Sequence, residues 1–271
     1  MSKHTATPFL LAIALPLAAC STSDEAATPD ASFVVTEDML TLTPANGDSV
    51  TLPLNDQFDR NSFIGAEQTT STDQQRIIAL SQSDDTYAAL LIDRANGTTV
   101  DTFVGRNTQD VQSPTGQANL NGTYVGAFVP IDDAEEVDFE AYITGDVQIT
   151  ADFDAMTLGG NITNRTAVLT NDQSGDEAPA PFALDNIVQL NSTTINDEGS
   201  FGGQLETFAV GSSAGSEAQQ TGSFSGLVGG TTDAPEIVGR ITIEGSDDNP
   251  LARRFAETGV FAIGHAATEA E

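Results

Sequence analysis

TGSFSGLVGGTTDAPEIVGRITIEG, residues 221–245, followed after an acidic loop by ETGVFAIG, residues 257–264, is the stretch that decides the fold. Gly222, Phe224 and Gly226 share one parity, and beyond a turn so do Ile237, Gly239, Ile241 and Ile243. Successive side chains of a strand point to opposite faces, so alternation of period two is a β signal and not a helical one. Glycine inside a strand weakens it, and its repetition here points to close backbone approach or to bending at a barrel wall. Gly259 to Gly264 is again small and apolar and reads as a closing strand, preceded by one short helix over Asn249 to Glu257.

The cleanest periodicity lies upstream of this stretch. Val137, Phe139, Ala141, Ile143, Val147, Ile149, Ala151 and Phe153 share one parity, with Asp138, Glu140, Thr144, Asp146, Gln148, Thr150 and Asp152 between them. One face is therefore buried and the other wet. The parity is unbroken across Thr144-Gly145-Asp146, which allows one long bent strand or a hairpin with an odd-numbered loop. Leu158, Gly160 and Ile162 answer the Ala151–Phe153 end across a turn at Asp154 to Thr157. Further strand candidates are Asn121 to Val129, Asn186 to Asn191 and Phe201 to Phe208. Counting from Tyr124 gives about eight strands, enough for a small closed barrel whose interior side chains fill it.

Before this unit, Ser32 to about Arg106 reads as a smaller β-rich unit. Leu40 and Leu42 precede Pro44-Ala45-Asn46-Gly47-Asp48, and Val50, Leu52 and Leu54 come after it. Asn-Gly between alternating runs is a hairpin signal. The pattern recurs with Tyr87 to Ile92, an Asn96-Gly97 turn, and Val100 to Val104, and Arg76 to Leu80 is another strand candidate. With few apolar positions of its own, this unit is expected to pack against the C-terminal one. Gly105 to Leu120 is polar and reads as the boundary.

The first twenty residues combine Lys3, an apolar run from Phe9 to Leu17, and Leu17-Ala18-Ala19-Cys20. The run is too short for a stable membrane span, and small residues before the lone cysteine make a bacterial lipobox. Cys20 is the expected lipidation site and the first residue after cleavage. Ser21 after it leans towards export to the outer membrane. Residues 21–31 are small and polar and read as a flexible tether.

The chain carries 40 acidic and 9 basic residues among 271, a formal charge of −31. Such a charge repels phosphate backbones, which argues against nucleic-acid binding. The acids are spread along the chain and read as a solvated exterior. With one cysteine, no internal disulfide forms. After removal of His4 with the leader, His265 is the one histidine, and no Gly-x-Ser-x-Gly elbow accompanies it, so no catalytic residue is expected. Haem ligation by His265, Tyr87, Tyr124 or Tyr142 has no support in the spacing. The pairs Asp132-Asp133, Glu135-Glu136 and Asp247-Asp248 sit in loops without EF-hand spacing. No metal or cofactor is expected.

The glycine-punctuated C-terminal strands resemble the signature of the transferrin-binding-protein-B-like surface lipoproteins. Phe224, Gly226, Ala234, Glu236, Gly239 and Phe261 stand at its motif positions. The hairpin with Asp152-Phe153 before its turn and Leu158 and Gly160 after it is similar to the family's. The resemblance implies an all-β chain: leader 1–20, tether 21–31, a smaller handle-like β domain over 32–110, and a C-terminal eight-stranded antiparallel β-barrel over 118–267. It further implies a non-enzymatic lipoprotein held to the outer membrane through Cys20 and displayed on the cell surface. There it would bind an extracellular protein or small ligand, in iron or haem acquisition, alongside a surface translocator and a TonB-dependent receptor. The alternative is a structural envelope lipoprotein facing the periplasm, with no captured ligand.

Overall fold

Three β layers stack on one another. The computed structural model describes residues 30–55, 63–69, 75–83, 85–93, 99–107, 114–130, 141–169, 181–211, 219–244 and 255–264, and among these every regular element is a strand. The outermost layer is the sheet of β1 (Ala31–Val35), β2 (Met39–Pro44) and β3 (Val50–Pro53). The middle layer is the sheet of β4 (Ile64–Thr69), β5 (Gln75–Gln82), β6 (Thr86–Asp93) and β7 (Thr99–Arg106).

The third layer is a barrel. It comprises β8 (Gln117–Pro130), β9 (Ala141–Asp152), β10 (Thr157–Leu169), β12 (Asn186–Thr194), β13 (Ser200–Ala209), β14 (Gln220–Gly230), β15 (Pro235–Glu244) and β16 (Phe255–Ile263). The short β11 (Phe182–Ala183) pairs with the end of β10. Each of the eight is antiparallel to its neighbours, and β16 returns to pair with β8 from Phe255↔Pro130 to Ile263↔Gly122. The ring is closed. Closure leaves no unpaired strand edge along the wall.

The alternation read from the sequence sets the barrel's inside and outside. Ile143, Val147, Ile149, Ala151 and Phe153 of β9 and its end fill the interior with Ile237, Ile241 and Ile243 of β15 and Phe261 and Ile263 of β16. β9 is one long strand and not a hairpin. Its turn to β10 is held by the Asp152 carboxylate, which accepts the Ala155 N–H at 2.8 Å, and by Met156 in the left-handed region at φ 53°. Strand glycines make room for interior rings. Gly226 and Gly239 are register partners, and a Cβ on Gly239 would run into the Phe261 ring.

The middle sheet is buried on both faces. Ala88, Leu90 and Ile92 of β6 meet Val125, Ala127, Val238, Val260 and Ala262 on the outer barrel wall. Ala89 and Leu91 face Leu40, Leu42 and Leu52 of the outermost sheet. Sandwiching accounts for the unbroken apolar run Tyr87 to Ile92, since a strand covered on both faces has no wet parity. The strands of both expected hairpins pair, with Leu42↔Val50 closing one and Asp93↔Thr99 the last pair of the other, whose expected Asn96-Gly97 turn lies outside the described residues.

Two expectations are corrected. The helix expected over Asn249 to Glu257 is not there in its described part, because Phe255–Glu257 open β16, with Ala256↔Val129 and Glu257↔Phe128 as partners; residues 249–254 lie outside the described residues. The polar boundary expected to reach Leu120 ends earlier, at the start of β8 on Gln117. Gln117, Asn119 and Asn121 are exposed while Ala118 and Leu120 pack on the barrel core, so a half-wet strand carried loop-like residues on its wet side.

Gly239→Val should lower the urea midpoint by an amount equivalent to ~1–3 kcal/mol, the usual scale of overpacking. Gly47→Ala should leave the midpoint unchanged, since a Cβ there meets only ordinary contacts with Pro44 at 3.5 Å.

Candidate functional site

A charged cluster lies inside the barrel. It begins with a bulge in β10: Thr163 pairs with Asp146 and Thr166 with Thr144, so Asn164 and Arg165 stand opposite Gly145 alone. Asn164 takes φ 50°, which asparagine tolerates better than most residues. The extra residue switches the parity of the strand. Leu158 and Ile162 point inward before the bulge, Arg165 and Ala167 after it. Gly145 leaves room for the turning side chain, since a Cβ there would stand 3.2 Å from Arg165 Cγ.

Arg165 is 1% exposed and reaches across to β16, where its Nη2 donates to Glu257 Oε2. Its Nη1 donates to Asn186 Oδ1 at the start of β12. The second carboxylate oxygen, Glu257 Oε1, accepts the Tyr124 hydroxyl at 2.8 Å. Tyr124 itself needs two glycines, because a Cβ on Gly126 or Gly259 would collide with its hydroxyl. Four strands are thus tied by one network: β8, β10, β12 and β16. Burial, and then the charge of Glu257, hold the Tyr124 phenol well above its ordinary value.

Both oxygens of Glu257 are engaged and the cluster is sealed from solvent. It can position strands and hold charge, but it offers no free group for acid–base work. Arg165 Nε has no hydrogen-bond partner among the described residues. Sequence reading missed Arg165, Asn186 and Glu257. The signal for Glu257 was its shared parity with Gly259, Phe261 and Ile263, hidden by the expected helix.

Other residues singled out in the sequence have structural places. Tyr87 is fully buried in the middle sheet; its hydroxyl donates to Asp30 Oδ1 at 2.6 Å and its ring lies 5.2 Å from that of Phe33. Burial and the Asp30 carboxylate raise its phenol far above the ordinary value. Tyr142 packs between the barrel wall and the middle sheet. Of the motif residues, Phe224 and Phe261 fill the barrel interior and Ala234 is an exposed turn residue. Glu236 clamps two layers, accepting hydroxyls from Ser83 at 2.6 Å and Thr86 at 2.8 Å. Cys20, His265, Asp132-Asp133, Glu135-Glu136 and Asp247-Asp248 lie outside the described residues. Among the described residues no three His, Cys, Asp or Glu side chains gather into a metal-binding group.

The two barrel ends differ. Connections over residues 131–140, 170–181, 210–219 and 245–254 all leave from one end, while the other has the short turns 153–156, 195–199 and 231–234. The exposed Phe182 and Val210 lie at the long-connection end. The flank of the barrel also carries a groove of about 730 Å³ lined by Asn121, Asp146, Gln148, Asn161 and Thr163 among others.

No protein-family model matches the chain. No curated protein matches it by sequence. Among solved structures, the isotype 1 transferrin binding protein B from serogroup B Neisseria meningitidis is similar over 89% of this chain and 45% of that one, at 16% identity and a TM-score of 0.43. A mutant of the vaccine antigen transferrin binding protein B from Haemophilus parasuis Hp5 is similar over 84% and 48%, at 13% identity and a TM-score of 0.40. The chain spans about half the length of these proteins, and likeness of this degree transfers no ligand.

Breaking the buried pair by Glu257→Gln should cost ~3–5 kcal/mol in urea unfolding, because the guanidinium loses its counter-charge. The double variant Arg165→Met with Glu257→Leu should lose less than the two single changes summed, as a double-mutant cycle reads out. Raising the pH should destabilise the fold above the ordinary phenol value of 10.0. There the unfolded chain ionises Tyr87 and Tyr124 while the folded chain keeps their protons, so stability present below that pH is lost as it rises. Tyr124→Phe and Tyr87→Phe should each flatten this alkaline slope in denaturant titrations.

Proposed function

We propose that the chain is a non-enzymatic binding protein, anchored in the outer membrane by lipid on Cys20 and presenting the long-connection end of its barrel to an extracellular protein or small ligand. The observation that carries this reading is the placement of the chain's two working ends. Asp30, where the described chain emerges from the 21–31 segment, is held by Tyr87. The neighbouring Thr86 is bonded to Glu236, next to the short turn 231–234. The root of the tether therefore sits towards the short-turn end. Four long connections leave from the opposite end, the end farther from that root.

A rigid closed wall carrying long loops at one rim suits recognition, since binding groups are most often loops set on a stiff scaffold. The sealed Arg165–Glu257–Tyr124 cluster supports a mechanical role under that rim and none in turnover. The resemblance to the transferrin-binding-protein-B-like lipoproteins supports this reading through the motif positions Phe224, Gly226, Ala234, Glu236, Gly239 and Phe261, of which all but the exposed Ala234 have roles in the barrel or its clamp.

The test uses the native full-length chain in its own cells. Cys20→Ala should abolish lipid labelling and release the protein from the membrane fraction. In a second series, Val210→Cys at the long-connection end and Thr232→Cys at the short-turn end are exposed to a membrane-impermeant thiol reagent on intact cells. Val210→Cys should label faster. Protection of both positions, and of the whole chain from added protease, would instead mark a periplasm-facing envelope lipoprotein and overturn surface display.

A further inference from the structure

We propose that the outer wall of β8, β9, β10 and β12 is a binding face for an uncharged, polyhydroxylated ligand, namely a neutral oligosaccharide. The register sets four amide side chains in one row across the strands: Asn121 pairs with Gln148, Gln148 with Asn161, and Asn161 with Gln189. Their parity is opposite to that of the interior residues Val147, Ile149, Ile162 and Val188, so all four point outward. Adjacent strands stand about 4.8 Å apart, so the amides repeat on the scale of one pyranose ring. The first three line the groove of about 730 Å³.

Each amide offers a carbonyl acceptor and two N–H donors. None of the four uses its side chain in a hydrogen bond to another described residue. Hydroxyl groups are likewise donors and acceptors at once, so a row of amides matches a row of sugar hydroxyls without carrying charge. The flanking groups agree. Thr163 adds a hydroxyl, and Asp146, the one acidic residue of the lining, is already bonded by Asn164 Nδ2 at 2.7 Å.

Other ligand classes fit poorly. No Lys or Arg lines the groove and the chain carries a formal charge of −31, so an anion meets only repulsion. The four strands are each paired on both sides, so no backbone edge is free for an extended peptide. Aromatic rings are absent from the lining, which removes stacking and leaves hydrogen bonds alone to hold the sugar. The affinity is accordingly weak, with a Kd on the order of 0.1–1 mM.

The full mature chain in detergent is titrated with members of a neutral-glycan array and, as a charged counterpart, oligogalacturonate. At least one neutral oligosaccharide should bind in this range. Gln148→Ala with Asn161→Ala should weaken it at least tenfold, while Thr242→Ala, on the outward face of β15, leaves it unchanged, with unfolding midpoints confirming intact folds. No neutral glycan bound at millimolar concentration, binding indifferent to the Gln148 and Asn161 changes, or equal binding of oligogalacturonate would each overturn the proposal. The result is independent of where in the envelope the protein sits.

Discussion

The pairing of β16 with β8 is the constraint on which the rest of the structure depends. An eight-stranded barrel has an interior just wide enough to be filled by side chains, so closing the ring and packing the core are one event. At the seam Gly126 faces Gly259 and Phe261 faces Tyr124. The two glycines leave a slot into which the Tyr124 ring lies, and its hydroxyl reaches Glu257 two residues before Gly259. Glu257 in turn takes Arg165 from across the barrel. A buried pair of this kind adds little net stability against an apolar alternative, since its desolvation is costly. Here it also specifies register, because a slip of one residue at the seam would turn Glu257 outward and leave Arg165 alone in the core.

Closure also makes the outer wall available. With no edge to protect, the barrel covers part of its surface with the β4–β7 sheet, where Tyr142 of β9 and Val168 of β10 join the apolar contact, and leaves the stretch of wall around Gln148, Asn161 and Gln189 outside that contact. The covered part is apolar, through Val125, Ala127, Val238 and Val260, while the groove beside it is lined by Asn121, Gln148, Asn161, Thr163 and Asp146 among others. The middle sheet cannot stand alone, because both its faces are apolar. Glu236 and Arg106 fix it in place: the first accepts hydroxyls from the β5–β6 turn, and the second donates to the carbonyls of Glu198 and Val228, each at 2.7 Å.

These features divide labour along the barrel axis. The short-turn end is stitched to the smaller sheets, and through Tyr87 and Asp30 to the segment that leads back to Cys20. Towards the other end the described strands enclose the buried, charge-paired cluster of Arg165, Glu257 and Tyr124.

The barrel wall is legible in the order of the residues alone. Period two is a local property: Ile143 to Phe153 and Ile237 to Ile243 alternate because a strand has one buried face, and the hairpin at Asn46-Gly47 arises from turn chemistry. The Gly-Phe pattern around Phe224 and Gly239 signalled a barrel for the same reason, as bulky inward rings need glycine neighbours. Tertiary structure alone decided the interior cluster and the loss of the expected helix. Arg165 turns inward only because a bulge places two residues opposite Gly145, and such a switch of parity depends on the partner strand. Phe255–Glu257 is strand because β8 supplies its ladder, a long-range pairing that overrides local preference. The row Asn121–Gln148–Asn161–Gln189 likewise exists only in the folded register, since its members come from four strands and no local pattern aligns them.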